Sequence, residues 1–101
     1  MATITKTMAR GAATTNTGTT LYTVPASTTA VVTNIVVANT AGSSGTFTLA
    51  LDSVALFSAV TIAANTTVVI DLKQNLTTGK LITGGASATS VSFHISGVEI
   101  S

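Results

Sequence analysis

Few side chains in this sequence can exchange a proton near neutral pH. His94 is the single histidine, the carboxylates are Asp52, Asp71 and Glu99, and there is no cysteine. Nucleophilic catalysis by a Ser–His–Asp arrangement needs an aspartate and a serine beside the histidine, but nothing in the spacing brings Asp52 or Asp71 to His94, and no nucleophile-elbow motif is present. We therefore predict that the chain is not an enzyme, and we interpret His94 as a surface or interface residue.

Metal and cofactor chemistry has equally little support in the sequence. One histidine without cysteine cannot complete a zinc site, and the three carboxylates lack the spacing of a calcium loop. The glycine-rich segments 42–45 and 84–85 are not followed by a helical pattern, so they predict turns and not phosphate-binding loops. The sequence thus predicts no catalytic residue, no metal site, no cofactor and no small-molecule substrate.

The composition also excludes several classes of partner. The four cations are scattered and the net charge is only +1, so nothing indicates nucleic-acid binding. No window approaches the ~20 apolar residues of a transmembrane helix, so we expect no membrane partner. Residues 1–6 lack the apolar run of a signal peptide, and we expect synthesis in the cytoplasm.

The low charge content favours assembly. Charged residues make up 7% of the chain, where about 25% is usual. Soluble proteins ordinarily use surface charge to prevent self-association and to protect sheet edges. Much of this surface is therefore predicted to be covered by other subunits, although threonine and serine hydroxyls could instead hydrate it.

The pattern of the chain is that of β-structure throughout. Runs rich in β-branched residues alternate with Gly, Asn, Ser and Pro clusters at a spacing typical of sandwiches, and no window has helical periodicity. We predict an all-β fold, a single antiparallel β-sandwich of about eight short strands with either a jelly-roll or an immunoglobulin-like arrangement. The predicted runs are 3–8, 20–24, 30–38, 46–51, 54–62, 68–72, 80–83 and 90–95.

Three local predictions complete this outline. The run 30–38 is apolar on both faces, which favours cover by a second sheet or by a neighbouring subunit. The alternation after Ile95 slips, which predicts a β-bulge at Ser96–Gly97 that keeps Val98 and Ile100 on the core face. Residues 1–19 are predicted to be an N-terminal arm and linker that can pair with a neighbouring chain, and residues 20–101 to be the sandwich domain.

Part of the chain resembles a known class of proteins. Residues 20–100 are similar to small β-sandwich virion proteins of tailed bacteriophages, through a strand–turn–strand pattern and not through a chemical signature. The segments that carry the resemblance are Leu21–Ala26, Thr29–Asn39, Leu51–Asp52, Val54–Leu56, Ile62–Thr67 and Ile70–Leu72.

The resemblance implies a structural role on the virion. Such modules occur as capsid decoration (cement) proteins, often as trimers that clamp the shell, and also in tails and fibres. It implies a homotrimer on the capsid exterior, with other copies of this chain and the major capsid protein as partners. The residues we expect at subunit interfaces are Ile4, Met8, Val31, Val36 and Val69.

Two other roles remain open at this point. The first is a tail- or fibre-associated module for host recognition or carbohydrate binding, for which Tyr22 is the one plausible aromatic platform. The second is a cellular filament or matrix subunit, which would form fibres without any capsid.

Overall fold

Eight β-strands account for most of the described chain. The structure is a computed structural model that describes residues 3–101, and no helix occurs among them. The part of the predicted arm at residues 1 and 2 lies outside the described residues. The strands are β1 (Thr3–Ala12), β2 (Thr20–Thr23), β3 (Thr29–Asn39), β4 (Gly45–Leu51), β5 (Val54–Ile62), β6 (Thr66–Leu76), β7 (Leu81–Ala86) and β8 (Val91–Ile100).

The strands form two four-stranded antiparallel sheets that pack face to face. Their orders are β1-β8-β3-β6 and β2-β7-β4-β5. The strands pair as in one long antiparallel hairpin whose successive pairs alternate between the two sheets. These pairs are β1–β8, β2–β7, β3–β6 and β4–β5. This is the strand order of a jelly roll. The predicted all-β sandwich of about eight strands is therefore confirmed, and the jelly roll is the arrangement adopted.

Alternating side chains from both sheets build the core. Along β3, Val32, Ile35 and Val37 are fully buried, and they share one core cluster with Leu49 of the opposite sheet. Each such aliphatic side chain stabilises the fold by about 1.5–3 kcal/mol through its removal from water. The other large side chains that are fully buried are Phe93, Ile62, Ile82, Ile95, Val24 and Val91.

The tight turn between β4 and β5 follows directly from its residues. Asp52 and Ser53 both have positive φ values, 54° and 61°, and they connect Leu51 to its partner Val54. Two consecutive positive φ values give the turn the twist that antiparallel strands require. The turn occupies the two residues between the predicted runs 46–51 and 54–62.

The N-terminal segment differs from the expected arm. From Thr3 to Ala12 it is the edge strand β1, which pairs antiparallel with β8 of the same chain. Residues 13–19 then cross to the second sheet, and backbone hydrogen bonds hold them on both sides, including Ala13 N to Val91 O (2.7 Å) and Ala86 N to Thr14 O (2.9 Å). Residues 3–19 are thus integrated into the sandwich because β8 offers them a free edge.

The predicted bulge at Ser96–Gly97 is wrong. β8 runs without irregularity, and the extra residue lies instead in each neighbouring strand, at Met8 of β1 and Thr33 of β3. Gly97 points inward, where a Cβ atom would lie 2.5 Å from the Met8 methyl group. The Met8 side chain fills the space beside Gly97, which has no side chain of its own. The extra residues therefore lie in β1 and β3, and β8 stays regular.

This change of register reverses the facing of the last residues. Val98 pairs with Val31 and lies on the outer face of its sheet, and Ile100 follows on the same side. Glu99 points inward instead, opposite the fully buried Ala30. The expectation that Val98 and Ile100 face the core is therefore corrected.

Candidate interaction surface

The groups that could do acid–base chemistry are held apart. His94 lies on the outer face of β8, with Arg10 of β1 and Val36 of β3 as its cross-strand neighbours. Asp71 lies on β6, two strands or roughly 10 Å away across the sheet, and Asp52 lies in a turn of the other sheet. The structure brings no carboxylate beside His94 among the cross-strand partners of the described residues.

A tyrosine–carboxylate pair joins the two sheets. The hydroxyl group of Tyr22, on β2, donates a hydrogen bond to Oε2 of Glu99 on β8. Burial raises the pKa of the Tyr22 phenol far above its ordinary value, and the hydrogen bond and negative charge of Glu99 raise it further. Because the phenol stays neutral and the carboxylate accepts its proton in a hydrogen bond, the pair links the two sheets without forming a proton relay.

Two surface clefts of the described chain are well formed, and neither brings titratable groups of opposite charge together. One follows β1 and β2 beside Arg10 and Phe93, and the other lies on the outer face beside Lys6 and Ser96. Each contains one cation and no carboxylate among its lining residues. Within residues 3–101 no group of three or more His, Asp or Glu side chains is close enough to hold a metal ion.

A face rich in valine is the most distinctive surface of the molecule. It is the outer face of the β1-β8-β3-β6 sheet, which we call the valine face. Val36 of β3 lies between His94 and Val69, and Val31 lies beside Val98. The second sheet covers only the opposite face, so nothing in the described chain covers these side chains. Its aliphatic members are Val31, Val36, Val69, Val98 and Ile100.

Four of the five residues expected at interfaces are accessible. Val69 is 63% exposed and Ile4, near the end of β1, is 54% exposed. Val31 and Val36 are half-buried on the valine face. Met8 is only 6% exposed because it packs beneath Gly97 in the core of its own chain, so the expectation is corrected for that residue.

A second apolar surface was missed by the sequence reasoning. β5 and β6 form one side of the sandwich, where Leu56 and Val60 are 38% and 39% exposed. Val54, at the start of β5, is 69% exposed. The signal was present in the run 54–62, which has no charged residue, but the sequence does not show that β5 is an edge strand.

No helix in the described part of the chain is long and apolar enough to cross a membrane. No protein-family model matches the chain. A search of curated proteins gives no significant match either. The function must therefore be argued from the surfaces themselves.

Proposed function

We propose that this chain is a structural virion protein, a capsid decoration (cement) protein that binds and stabilises a phage head as an oligomer. The observation that carries the proposal is the valine face. Its central strands β3 and β8 present the aliphatic side chains of Val31, Val36 and Val98, while its charged residues, Arg10, Asp71 and Lys73, lie on the edge strands β1 and β6. An isolated sandwich would usually carry polar residues at the centre of such a face. If a capsid subunit covered this face, its aliphatic side chains would be removed from water, which the described chain alone does not achieve.

The energetics of that contact suit a shell protein. Complete burial of one valine side chain contributes about 1.5 kcal/mol or more, and Val31 and Val36 are only half-buried at the start. One face therefore binds weakly. A repetitive shell presents many equivalent sites, so an oligomer that engages several at once gains avidity without new contacts. The resemblance to phage virion proteins implies a trimer for this arrangement.

The fold is compatible with this role without determining it. Jelly rolls form viral capsid domains, lectin domains and cupins, so the architecture permits several functions. The proposal therefore depends on the valine face together with the resemblance, and it places the chain on the capsid exterior beside the major capsid protein.

The alternative of a carbohydrate-binding tail or fibre module gains no support from a specific site. Sugar recognition at a surface would need an exposed aromatic ring, and Tyr22 is 8% exposed with its hydroxyl group bound to Glu99. Phe47 and Phe93 are each 2% exposed. Phe57, the remaining aromatic residue of the chain, is half-buried against the core.

The proposal is tested by sedimentation with phage heads. The proposal implies a tailed phage that encodes the chain. The purified chain is mixed with emptied heads of that phage, and the pelleted fraction is measured against chain concentration. We expect saturable binding, and at least a tenfold weaker binding for Val36→Lys because the lysine places a charge on the valine face. Val54→Lys is the matched control, since it makes the same change at an exposed valine on the opposite sheet.

Two results would contradict the proposal. If the wild-type chain does not pellet with the heads, it is not a decoration protein. Equal loss of binding in Val36→Lys and Val54→Lys would show that the valine face is not the contact. Long fibres formed by the chain alone would favour the filament alternative.

A further inference from the structure

One side of the sandwich leaves its core partly uncovered. We call it the open side, and it is formed by the edge strands β5 and β6. Inward-facing side chains of β6, such as Ile70, remain half-buried, whereas their partner Ile35 on β3 is fully buried. The apolar side chains of the open side are Leu56, Phe57, Val60, Val68, Ile70 and Leu72.

The opposite side of the sandwich is closed by the chain itself. There residues 13–19 cross between β1 and β2 and lie directly on Gly85, where an added Cβ atom would be 2.5 Å from the carbonyl oxygen of Asn16. No comparable connection covers the open side, because β5 and β6 are joined only by a short turn around Asn65. The monomer therefore covers its core on the side of β1 and β2 but leaves it partly exposed on the open side.

The charged residues beside the open side would complement those of a second copy of the chain. β5 has no charged residue, and β6 carries Asp71 and Lys73, both exposed, on either side of Leu72. If two β6 strands run antiparallel about a twofold axis at Leu72, Asp71 of each copy lies opposite Lys73 of the other. Opposite charges that face each other across antiparallel strands stabilise the pairing. A twofold axis perpendicular to the sheets brings β5 against β5 at the same time.

We propose that the open side binds the open side of a second copy of this chain across a twofold axis near Leu72. β6 is 11 residues long, which corresponds to about 36 Å, and the shortest dimension of the molecule is 18 Å. Such a side buries roughly 600 Å² per copy, or about 1,200 Å² in total, at the lower limit of specific interfaces. We expect a weak dimer, with a Kd of roughly micromolar to hundreds of micromolar.

The contact differs between the two strands. β6 has one residue more than β3 between Asp71 and Gln74, but its side chains keep alternating through Lys73, so Asp71 and Lys73 stay on one face. β5, by contrast, has register shifts relative to β4 on both sides of Leu49, and Ala59 has a φ of 47°, so β5 is too irregular for a continuous ladder. Its contribution is therefore side-chain packing through Leu56 and Val60. The contact is twofold, whereas a cyclic trimer needs a heterologous contact, so this inference goes beyond the proposed attachment to a phage head.

Charge reversal provides the test. Sedimentation equilibrium of the purified chain, from about 10 µM to 1 mM, measures the dimer Kd. Asp71→Lys replaces both attractions by repulsions, and we expect at least a tenfold increase in Kd. The double variant Asp71→Lys/Lys73→Asp restores the complementary arrangement and should return the Kd to within about threefold of wild type. Asp52→Lys is the matched control, because it makes the same charge change in a turn outside the open side.

Each outcome decides the question. A wild-type chain that shows no twofold association up to 1 mM, whether it is a monomer or forms only a trimer, overturns the inference, as does a double variant that dimerises no better than Asp71→Lys. An equal effect of Asp52→Lys would show that net charge and not the open side controls association. If the chain binds phage heads but does not dimerise, only the dimer inference is overturned. If it dimerises but does not bind the heads, only the proposed function is overturned. Thermal melting of every variant verifies that it is folded.

Discussion

Removal of the Tyr22 hydroxyl group tests how the two sheets are linked. The hydroxyl donates to the Glu99 carboxylate, and the Tyr22 side chain is 8% exposed. Hydrogen bonds to charged groups contribute about 1.5–3 kcal/mol. We take the lower value for Tyr22→Phe because Glu99 remains half-exposed and can be rehydrated. For a domain of this size about 1.5 kcal/mol corresponds to a decrease in Tm of roughly 6–12 °C.

The pH dependence of the same group has a definite sign. The pKa of Tyr22 is raised in the folded state, so its contribution is complete below about pH 10. Above that pH the unfolded chain loses the phenolic proton while the folded chain retains it, and stability decreases as the pH rises further. In Tyr22→Phe this part of the alkaline decrease should be absent.

The chain offers a direct assay for this prediction. Tyr22 is its single tyrosine and there is no tryptophan, so phenolate absorbance reports on Tyr22 alone. We expect no phenolate signal from the folded protein at pH 10.5, and about three-quarters of the full signal at the same pH after denaturation in urea, because an unfolded phenol has a pKa of about 10. A phenolate titration centred near pH 10, while circular dichroism still shows the native fold, would refute the assigned pair. Glu99→Gln keeps a hydrogen-bond acceptor for Tyr22 but removes the negative charge. In this variant the Tyr22 phenol should therefore ionise at a lower pH than in wild type.

Three further predictions concern stability, each measured by urea denaturation. Gly97→Ala should destabilise the fold by about 3 kcal/mol or more, because the new methyl group collides with the β3 backbone; Gly42→Ala, which meets nothing within 4 Å, is the control. Asn39→Ala should cost about 2–3 kcal/mol, because this 2% exposed amide donates to Ser43 O at 3.0 Å and accepts from a backbone N–H at 3.1 Å. Replacing Asp52 by Asn should change stability by less than about 1 kcal/mol, since its 3.4 Å ion pair with Lys80 is solvent-exposed.

The strands were predictable because their signal is local. β-branched runs identify all eight strands, and the predicted run 46–51 differs from β4 by one residue. The turn predicted at residues 84–85 is wrong, because both glycines lie within β7 and pair with β4. The turn at Asp52–Ser53 was equally accessible, since small polar residues between two apolar runs favour a tight hairpin. These features depend on neighbours in sequence, which a single chain displays.

Features that depend on partner strands were not predictable. The slip after Ile95 was visible, but whether β8 or its neighbours carry the extra residue is decided by the space at Gly97 and by Met8, which are distant in sequence. The same limit applies to the arm, because β1 is recognised as part of the sandwich only once β8 is seen to be free on that side. The open side was missed for this reason too, since its exposure depends on β5 and β6 being edge strands.

The candidate surfaces were predictable in part. The run 30–38 is apolar on both faces, which indicated that each face would be covered by a second sheet or by a neighbouring subunit. The structure places a sheet on one of these faces only. The uncovered face contains Val31 and Val36, two of the expected interface residues. Which molecule covers that face does not follow from the fold, because jelly rolls serve several functions.

The most direct test of the central claim is the thermal stability of the phage head itself. Emptied heads that lack the chain are titrated with it, and the temperature at which the shells disassemble is followed by light scattering and electron microscopy. The account predicts that this temperature rises and reaches a plateau at saturation, and that Val36→Lys at the same concentration raises it much less. An unchanged disassembly temperature at saturating chain concentration would contradict the claim that the chain stabilises the head.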